Sequence, residues 1–444
     1  MLAIAFASIV KYGRNIPLGE DWLLVSPLTG NEPDLTGWLW AQNNEHRIPL
    51  PKLVLLGLLK ITRGDFRAGM FFNAISLGVL AILMILAARH LRGKTKFADA
   101  FFPVALLHIG NWPNLVWGWQ LSFVLPTFLI CAVFLVILLD PVISRPFPTL
   151  ATGICLVLLP LCGANGLLFV PFFAIWLGYC GVLNWGKNGR RGISLFLIGS
   201  SAIALSLMFV YFVDYVRPNW NPPSPSHMAT LKTAAKFLAL GLGPAAAGSW
   251  RLSTAVTAAI FLSSAIMALL GLLRIKGKER YRALGIFLFF GNLAVFALAM
   301  GWGRAGLVPE MGLPIRYVLL SVPTLCTAFF IWELYGPARI RNIAQTALLF
   351  LMIILLPSNM ILGLKWGGWY RSGMDEVKRD ILAGTPCITV AKRHKDFLIH
   401  WWDKDQLSNS MRMLHGAGIG PFSEMRETRV ARDHDSMINR TKIP

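Results

Sequence analysis

The chain has 444 residues, of which 55% are hydrophobic and 14% charged, with a formal net charge of +20. Its mean hydropathy of +0.57 exceeds what a soluble core requires and excludes a large soluble α-protein, whose helices would each keep a polar face. The basic residues are divided among short loops rather than clustered on one face, which argues against nucleic acid as a partner.

Apolar runs long enough for a hydrocarbon core of about 30 Å predict an all-α polytopic membrane protein of about eleven transmembrane helices. The spans fall near 1–10, 69–88, 98–110, 118–139, 149–162, 166–184, 193–213, 252–273, 284–302, 317–335 and 343–363. Leu195 to Val213 carries no polar side chain beyond serines and one tyrosine, and Ala347 to Leu356 carries none, so these helices are apolar all round. Three spans are short. The first has only about ten apolar residues before Lys11 and no basic residue, which favours an incomplete span over a cleaved signal peptide.

Arg89, Arg92, Lys94 and Lys96, then Arg145, Lys187, Arg190 and Arg191, then Arg274 to Arg282, then Arg339 and Arg341 occupy alternate loops. By the positive-inside rule those loops are cytoplasmic. The first loop (11–68), the turn 111–119, the loop after Val213 and the tail from Leu364 are then outside. This divides the chain into a transmembrane domain, 1–363, and an extracytoplasmic tail or cap, 364–444. Five of the six cysteines fall in predicted spans, and no disulfide framework, metal-ligand spacing or phosphate-binding glycine loop is present.

Only seven acidic residues lie between Pro49 and Gly363, whereas the first 48 residues hold five: Glu20, Asp21, Glu32, Asp34 and Glu45. Glu20 and Asp21 are adjacent and precede Trp22, a residue at home at the interface. A carboxylate there can act as a base or bind a cation; a solvated acidic turn is the alternative. Leu35, Trp38 and Leu39 are spaced for a short surface helix. Asn43-Asn44-Glu45-His46-Arg47 follows, where His46 and Arg47 are suited to holding a phosphate or anchoring to lipid headgroups.

The short first span, the acidic pair in Gly19-Glu20-Asp21-Trp22, the two surface helices and Glu45-His46-Arg47 resemble the GT-C superfamily of polyprenyl-phosphate-dependent membrane glycosyltransferases. The resemblance implies a catalytic Asp in the first outer loop, with Asp21 the first candidate and Glu20 the second. It also implies a polyprenyl-phosphate sugar donor, a glycan or lipid acceptor, and an outward-facing site in a bacterial inner (plasma) membrane of the cell envelope.

Further along, Asn111, Trp112, Asn114, Trp117, Trp119 and Gln120 crowd one outer turn, where amides beside indoles can grip a sugar or form an aromatic belt. Asn165 reads as a turn residue. Arg304 and Arg316 share a short loop with Glu310 alone as an acidic residue, and either hold an anionic ligand or snorkel to headgroups. Lys232 and Lys236 share one face of a surface helix. The tail carries 14 basic and 10 acidic residues, and its His394, His400, His415 and His434 lack metal-site spacing and read as surface residues.

The resulting expectation is transfer of a sugar from a polyprenyl-phosphate donor to an outer-face acceptor. Asp21 would act as general base, while Arg304, Arg316, His46 and Arg47 would hold the lipid phosphate and Asn111, Trp112 and Gln120 would contact substrate. No cofactor is required; a divalent cation at Glu20 and Asp21 is compatible with the chemistry. The alternative is a transporter or flippase of lipid-linked sugars, which would place ionisable residues near mid-membrane.

Overall fold

In the computed structural model, which describes residues 1–187, 189–307 and 313–425, the chain is built of helices, with no strand among the described residues. Among the described residues, eight helical segments are long and apolar enough to cross a membrane: Arg67–Arg92, Gly118–Leu139, Ala164–Trp185, Arg191–Tyr211, Pro244–Arg274, Lys278–Arg304, Ile315–Tyr335 and Ala338–Leu382. They coincide with the eight longer predicted spans. The three short ones differ. Leu2–Tyr12 and Pro146–Cys162 are apolar but brief. The run near 98–110 is broken into Phe97–Ala100, Phe101–Leu107 and Ile109–Asn111. The break falls at His108, whose backbone is extended. Beyond it, Gly110 packs so closely on the Asn359 backbone that a Cβ would sit 2.8 Å from the Asn359 carbonyl.

Two helices show how lipid and protein divide the surface. Every residue from Val318 to Glu333 is buried, so Ile315–Tyr335 is the central helix. Phe329 and Phe330 from this helix meet Phe101, Phe102 and Phe134 at ring separations of 4.8 to 5.8 Å. In Trp250–Arg274, by contrast, only Thr257, Ser264, Ala268 and Gly271 are buried. They form one stripe of small residues, and the remaining apolar face is left to lipid.

Ala338–Leu382 is a single helix of 45 residues, roughly 68 Å at 1.5 Å per residue. It is over twice the thickness of a bilayer core, and it runs unbroken through position 363, where the sequence suggested a domain boundary. Its distal half supports a cap made of Cys387–Leu398, Lys404–Gly416 and Gly420–Glu424. The cap sits on the first loop: Trp22 meets Phe422 at 5.9 Å, and Arg14 pairs with Asp375. Two tail histidines also serve packing, His394 through Asp380 and His415 through the Phe422 carbonyl. His434 lies outside the described residues.

Chain reversals bring the loops together in two sets. Arg92, Asp99, Glu333 and Arg341 meet at one end of the bundle. Glu20, Gln120, Arg304 and Arg316 meet at the other, around a cavity.

Candidate functional site

The wall that carries the acidic pair is fixed by a glycine. Gly19 has φ +54°, and a Cβ there would lie 2.6 Å from the Trp117 ring, so only glycine fits beneath that indole. Trp117 also donates its indole N–H to the Leu18 carbonyl at 2.9 Å. The segment Gly19–Leu24 is a 3₁₀ turn, in which neighbouring side chains point about 120° apart. Glu20 therefore enters the cavity beside Trp119 and Gln120, while Asp21 turns back into the protein.

Asp21 does not line this cavity. It is 3% exposed, and its Oδ2 accepts the Leu18 N–H at 3.5 Å. Burial, reinforced by Glu20, pushes its carboxyl up to about 8, against the opposing effect of nearby peptide and indole N–H groups. The Glu20 carboxyl is also raised above its ordinary value by burial, opposed chiefly by the charge of Arg316 and in part by His400 of the cap. Glu20 Oε2 is buried with no hydrogen-bond partner among the described residues.

The facing wall is a tight turn, Asn43 to His46, closed by reciprocal backbone hydrogen bonds of 2.7 and 2.9 Å. Asn44 takes the left-handed conformation, φ +51°, which Asn adopts more readily than most residues. His46 Nδ1 accepts the Ala164 N–H at 3.3 Å. Burial and the nearby Arg316 lower its pKa to about 4, so the ring is neutral with its proton on Nε2, a donor into the cavity. Arg47 faces away: its guanidinium donates to the Trp40 and Val213 carbonyls, and it anchors the turn rather than lining the cavity.

The third wall is basic. Arg304 pairs with Glu45 and donates from Nε to the Tyr317 hydroxyl at 2.7 Å. Both Arg304 and Arg316 stand over the Tyr317 ring, 5.8 and 5.9 Å from its centroid. Arg316 makes no ion pair among the described residues, and its Nε is buried without a partner. Glu310, the acidic residue expected nearby, lies outside the described residues. Gln120, 1% exposed, also has an unpartnered Oε1. Among the described residues three polar atoms, on Glu20, Gln120 and Arg316, thus remain unsatisfied around one cavity, where unpaired buried groups cost free energy unless a ligand or water completes them.

Asn111 and Trp112 are not part of this lining. Asn111 accepts from Asn114 at 2.7 Å, and Asn114 in turn donates to the Arg316 carbonyl at 2.9 Å. Trp112 stacks on Trp366 at 5.7 Å. Both support the walls from behind. Conversely, Asn165, Glu45 and Tyr317 do line the cavity, although sequence spacing gave them no such role.

The polar chamber, about 150 Å³, adjoins a groove of about 370 Å³. The two share Glu45, His46, Phe123, Asn165, Arg304 and Tyr317. Phe212 and Trp302 line the groove and are each more than half exposed, so it reaches the surface among apolar side chains. Among the described residues no group of three or more His, Cys, Asp or Glu is placed to hold a metal ion. No protein-family model, curated protein or solved structure matches this chain.

Proposed function

We propose that this protein is a membrane glycosyltransferase that takes a sugar from a polyprenyl-phosphate donor and passes it to a hydroxyl acceptor at the outer face of the membrane. The observation that carries the proposal is the continuous pair of cavities. A prenyl chain suits the apolar groove, its phosphate suits the shared wall at Arg304, Tyr317 and His46, and the sugar suits the chamber bounded by Gln120, Asn165 and Trp119.

In this reading Glu20 is the general base. It takes the proton from the acceptor hydroxyl as that oxygen bonds to the anomeric carbon. The bond from that carbon to the phosphate oxygen breaks, and the lipid phosphate leaves with the electron pair, stabilised by Arg316, Arg304 and the His46 Nε2–H. Burial suits Glu20 to this task, because a raised carboxyl pKa makes it a stronger base. By the positive-inside rule the basic end of the bundle is cytoplasmic and the cavity opens outward. A reporter fused after Lys278 is then expected to read cytoplasmic and one at the C-terminus outside.

The test is mass spectrometry of envelope glycans and lipids from cells with and without the gene. The proposal expects a sugar that disappears on deletion and returns with the wild type but not with Glu20→Gln. A lost sugar whose lipid-linked form accumulates on the inner leaflet would favour a flippase instead, and an unchanged profile would contradict both readings.

A further inference from the structure

The chamber has a side that the groove does not share. Asn43, Asn44 and Trp220 line the chamber but not the groove. Trp220 is 52% exposed and Asn44 is exposed as well, so the chamber has a second mouth here, built of uncharged polar side chains and one indole. The indole is held by a braced turn. The Asn221 N–H donates to the Pro218 carbonyl at 3.3 Å, which sets Trp220 at the tip. The Asn221 carbonyl accepts from Arg217 at 3.3 Å. Its side-chain amide, turned to suit both neighbours, donates to the Gly303 carbonyl at 3.0 Å and accepts from Arg304 Nη1 at 3.3 Å. The following Pro222 is stiff, and a Cβ on Gly306 would lie 2.7 Å from its carbonyl oxygen. Gln42 ties this loop to the turn that bears the two amides, donating to the Asn44 and Val216 carbonyls at 2.7 and 2.6 Å.

We propose that this mouth is the acceptor subsite and that the acceptor is a neutral sugar, the end of a glycan that arrives from the aqueous side and stacks on Trp220. The inference rests on the proposed transferase reading and narrows its acceptor. Among the described residues the side chains of Asn43, Asn44 and Trp220 make no hydrogen bond within the protein. A rigidly presented indole beside two unpaired amides suits a pyranose, whose C–H face stacks on the ring while its hydroxyls pair with the amides. The donor's prenyl chain fills the apolar groove, so a lipid acceptor would have to share it, whereas the polar mouth stays open with the donor in place. From this mouth a sugar hydroxyl points into the chamber that Glu20 also lines. The mouth residues carry no charge, which favours a neutral sugar over an anionic one.

Saturation-transfer NMR on the full-length protein in phosphatidylcholine nanodiscs tests this, with the methyl glycosides of glucose, galactose, mannose, N-acetylglucosamine, rhamnose and arabinose as probes. At least one is expected to bind the wild type. Its affinity should fall about fivefold or more in Trp220→Ala, less in Asn43→Ala, and little in Trp220→Phe, which keeps a stacking ring. Trp220 is half exposed, so its variants are expected to fold as the wild type does. A wild type that binds none of the six, or an affinity unchanged in Trp220→Ala, would overturn the inference. Binding that survives Trp220→Ala but is lost in Gln120→Ala would place the sugar at the donor position and overturn it too. If prenyl phosphate binds and no glycoside does, the donor site stands and the acceptor subsite falls. Trp220-dependent glycoside binding in a protein that transfers no sugar would uphold the sugar subsite and overturn the transferase reading instead.

Discussion

The two ends of the bundle each bury charge, but they finish it differently. At the basic end Arg92 bridges Asp99 and Glu333. Asp99 also accepts the Lys96 N–H at 2.8 Å, and Gln345 donates to Glu333 at 2.9 Å. Both carboxylates are neutralised and hydrogen-bonded, and the cluster ties the Arg67–Arg92 helix to the central and longest helices. At the cavity end Arg304 and Glu45 are paired, yet Glu20, Gln120 and Arg316 each keep an unpartnered atom. Arg341 Nε and Gln345 Oε1 are unpartnered at the basic end as well, so the difference lies in the charges. There each carboxylate has its cation, whereas Glu20 and Arg316 have no ion pair among the described residues and are open to something that arrives later.

The sharpest way to break this contrast is at Glu20. Glu20→Gln should lower transfer about 10²–10⁴-fold with the protein still inserted and folded, whereas Asp21→Asn should retain most activity, because Asp21 does not reach the cavity. Purified variants assayed for release of lipid phosphate will check this, and the opposite ranking would return the base to Asp21.

Arg92→Ala probes the other end. It leaves Asp99 and Glu333 buried beside a missing partner, a change that costs about 3–5 kcal/mol for buried pairs. A marked fall in thermal stability is expected, with transfer per folded molecule unchanged. Equal loss of specific activity would mean that the basic end is also functional.

Arg316→Ala removes a cation with no counter-ion among the described residues. Donor affinity should weaken by about 1.5–3 kcal/mol, the worth of a charge-assisted hydrogen bond, with little effect on thermal stability. A stability loss without an affinity change would mark Arg316 as a headgroup anchor.

These contrasts also show what the sequence could and could not reveal. The eight long helices were legible because a stretch such as Ala347 to Leu356 has nothing to offer water. The three segments that read as short in sequence fall below the length of a single long helical span, and hydropathy does not register that the backbone turns at His108. The candidate loop was legible from its concentration of carboxylates, but not which member of Glu20-Asp21 would face a ligand. That choice follows from the 3₁₀ turn that Gly19 and Trp117 impose. Arg47 looked like His46 in sequence, yet its partners are the Trp40 and Val213 carbonyls, the latter a contact 166 residues away. His400 was read as a surface residue, and only the folding of the cap onto the first loop brings its charge to bear on Glu20. Tyr317 had one available signal: an aromatic ring directly after Arg316.

A further expected effect concerns Asp21 and pH. Its carboxyl titrates near 3.8 when unfolded and about 8 in the fold, so between those values the folded state holds the extra proton. The resulting stability is full below about pH 4 and is lost as pH rises toward 8. Asp21→Asn does not titrate there. The melting temperature of wild type should therefore fall relative to Asp21→Asn between pH 6 and 9, and parallel curves would mean that Asp21 is ionised throughout.

The central claim is that the polar chamber and the apolar groove form one site for a lipid phosphate. Photo-crosslinking with a prenyl phosphate bearing a diazirine near its phosphate end, followed by peptide mapping, tests it most directly. Labelling is predicted on the segments carrying Tyr211 to Tyr215 and Phe296 to Arg304, suppressed by excess unlabelled prenyl phosphate and reduced in Arg316→Ala. Competable labelling confined to the outer face of Pro244–Arg274, or to the basic end near Arg92 and Glu333, would contradict it.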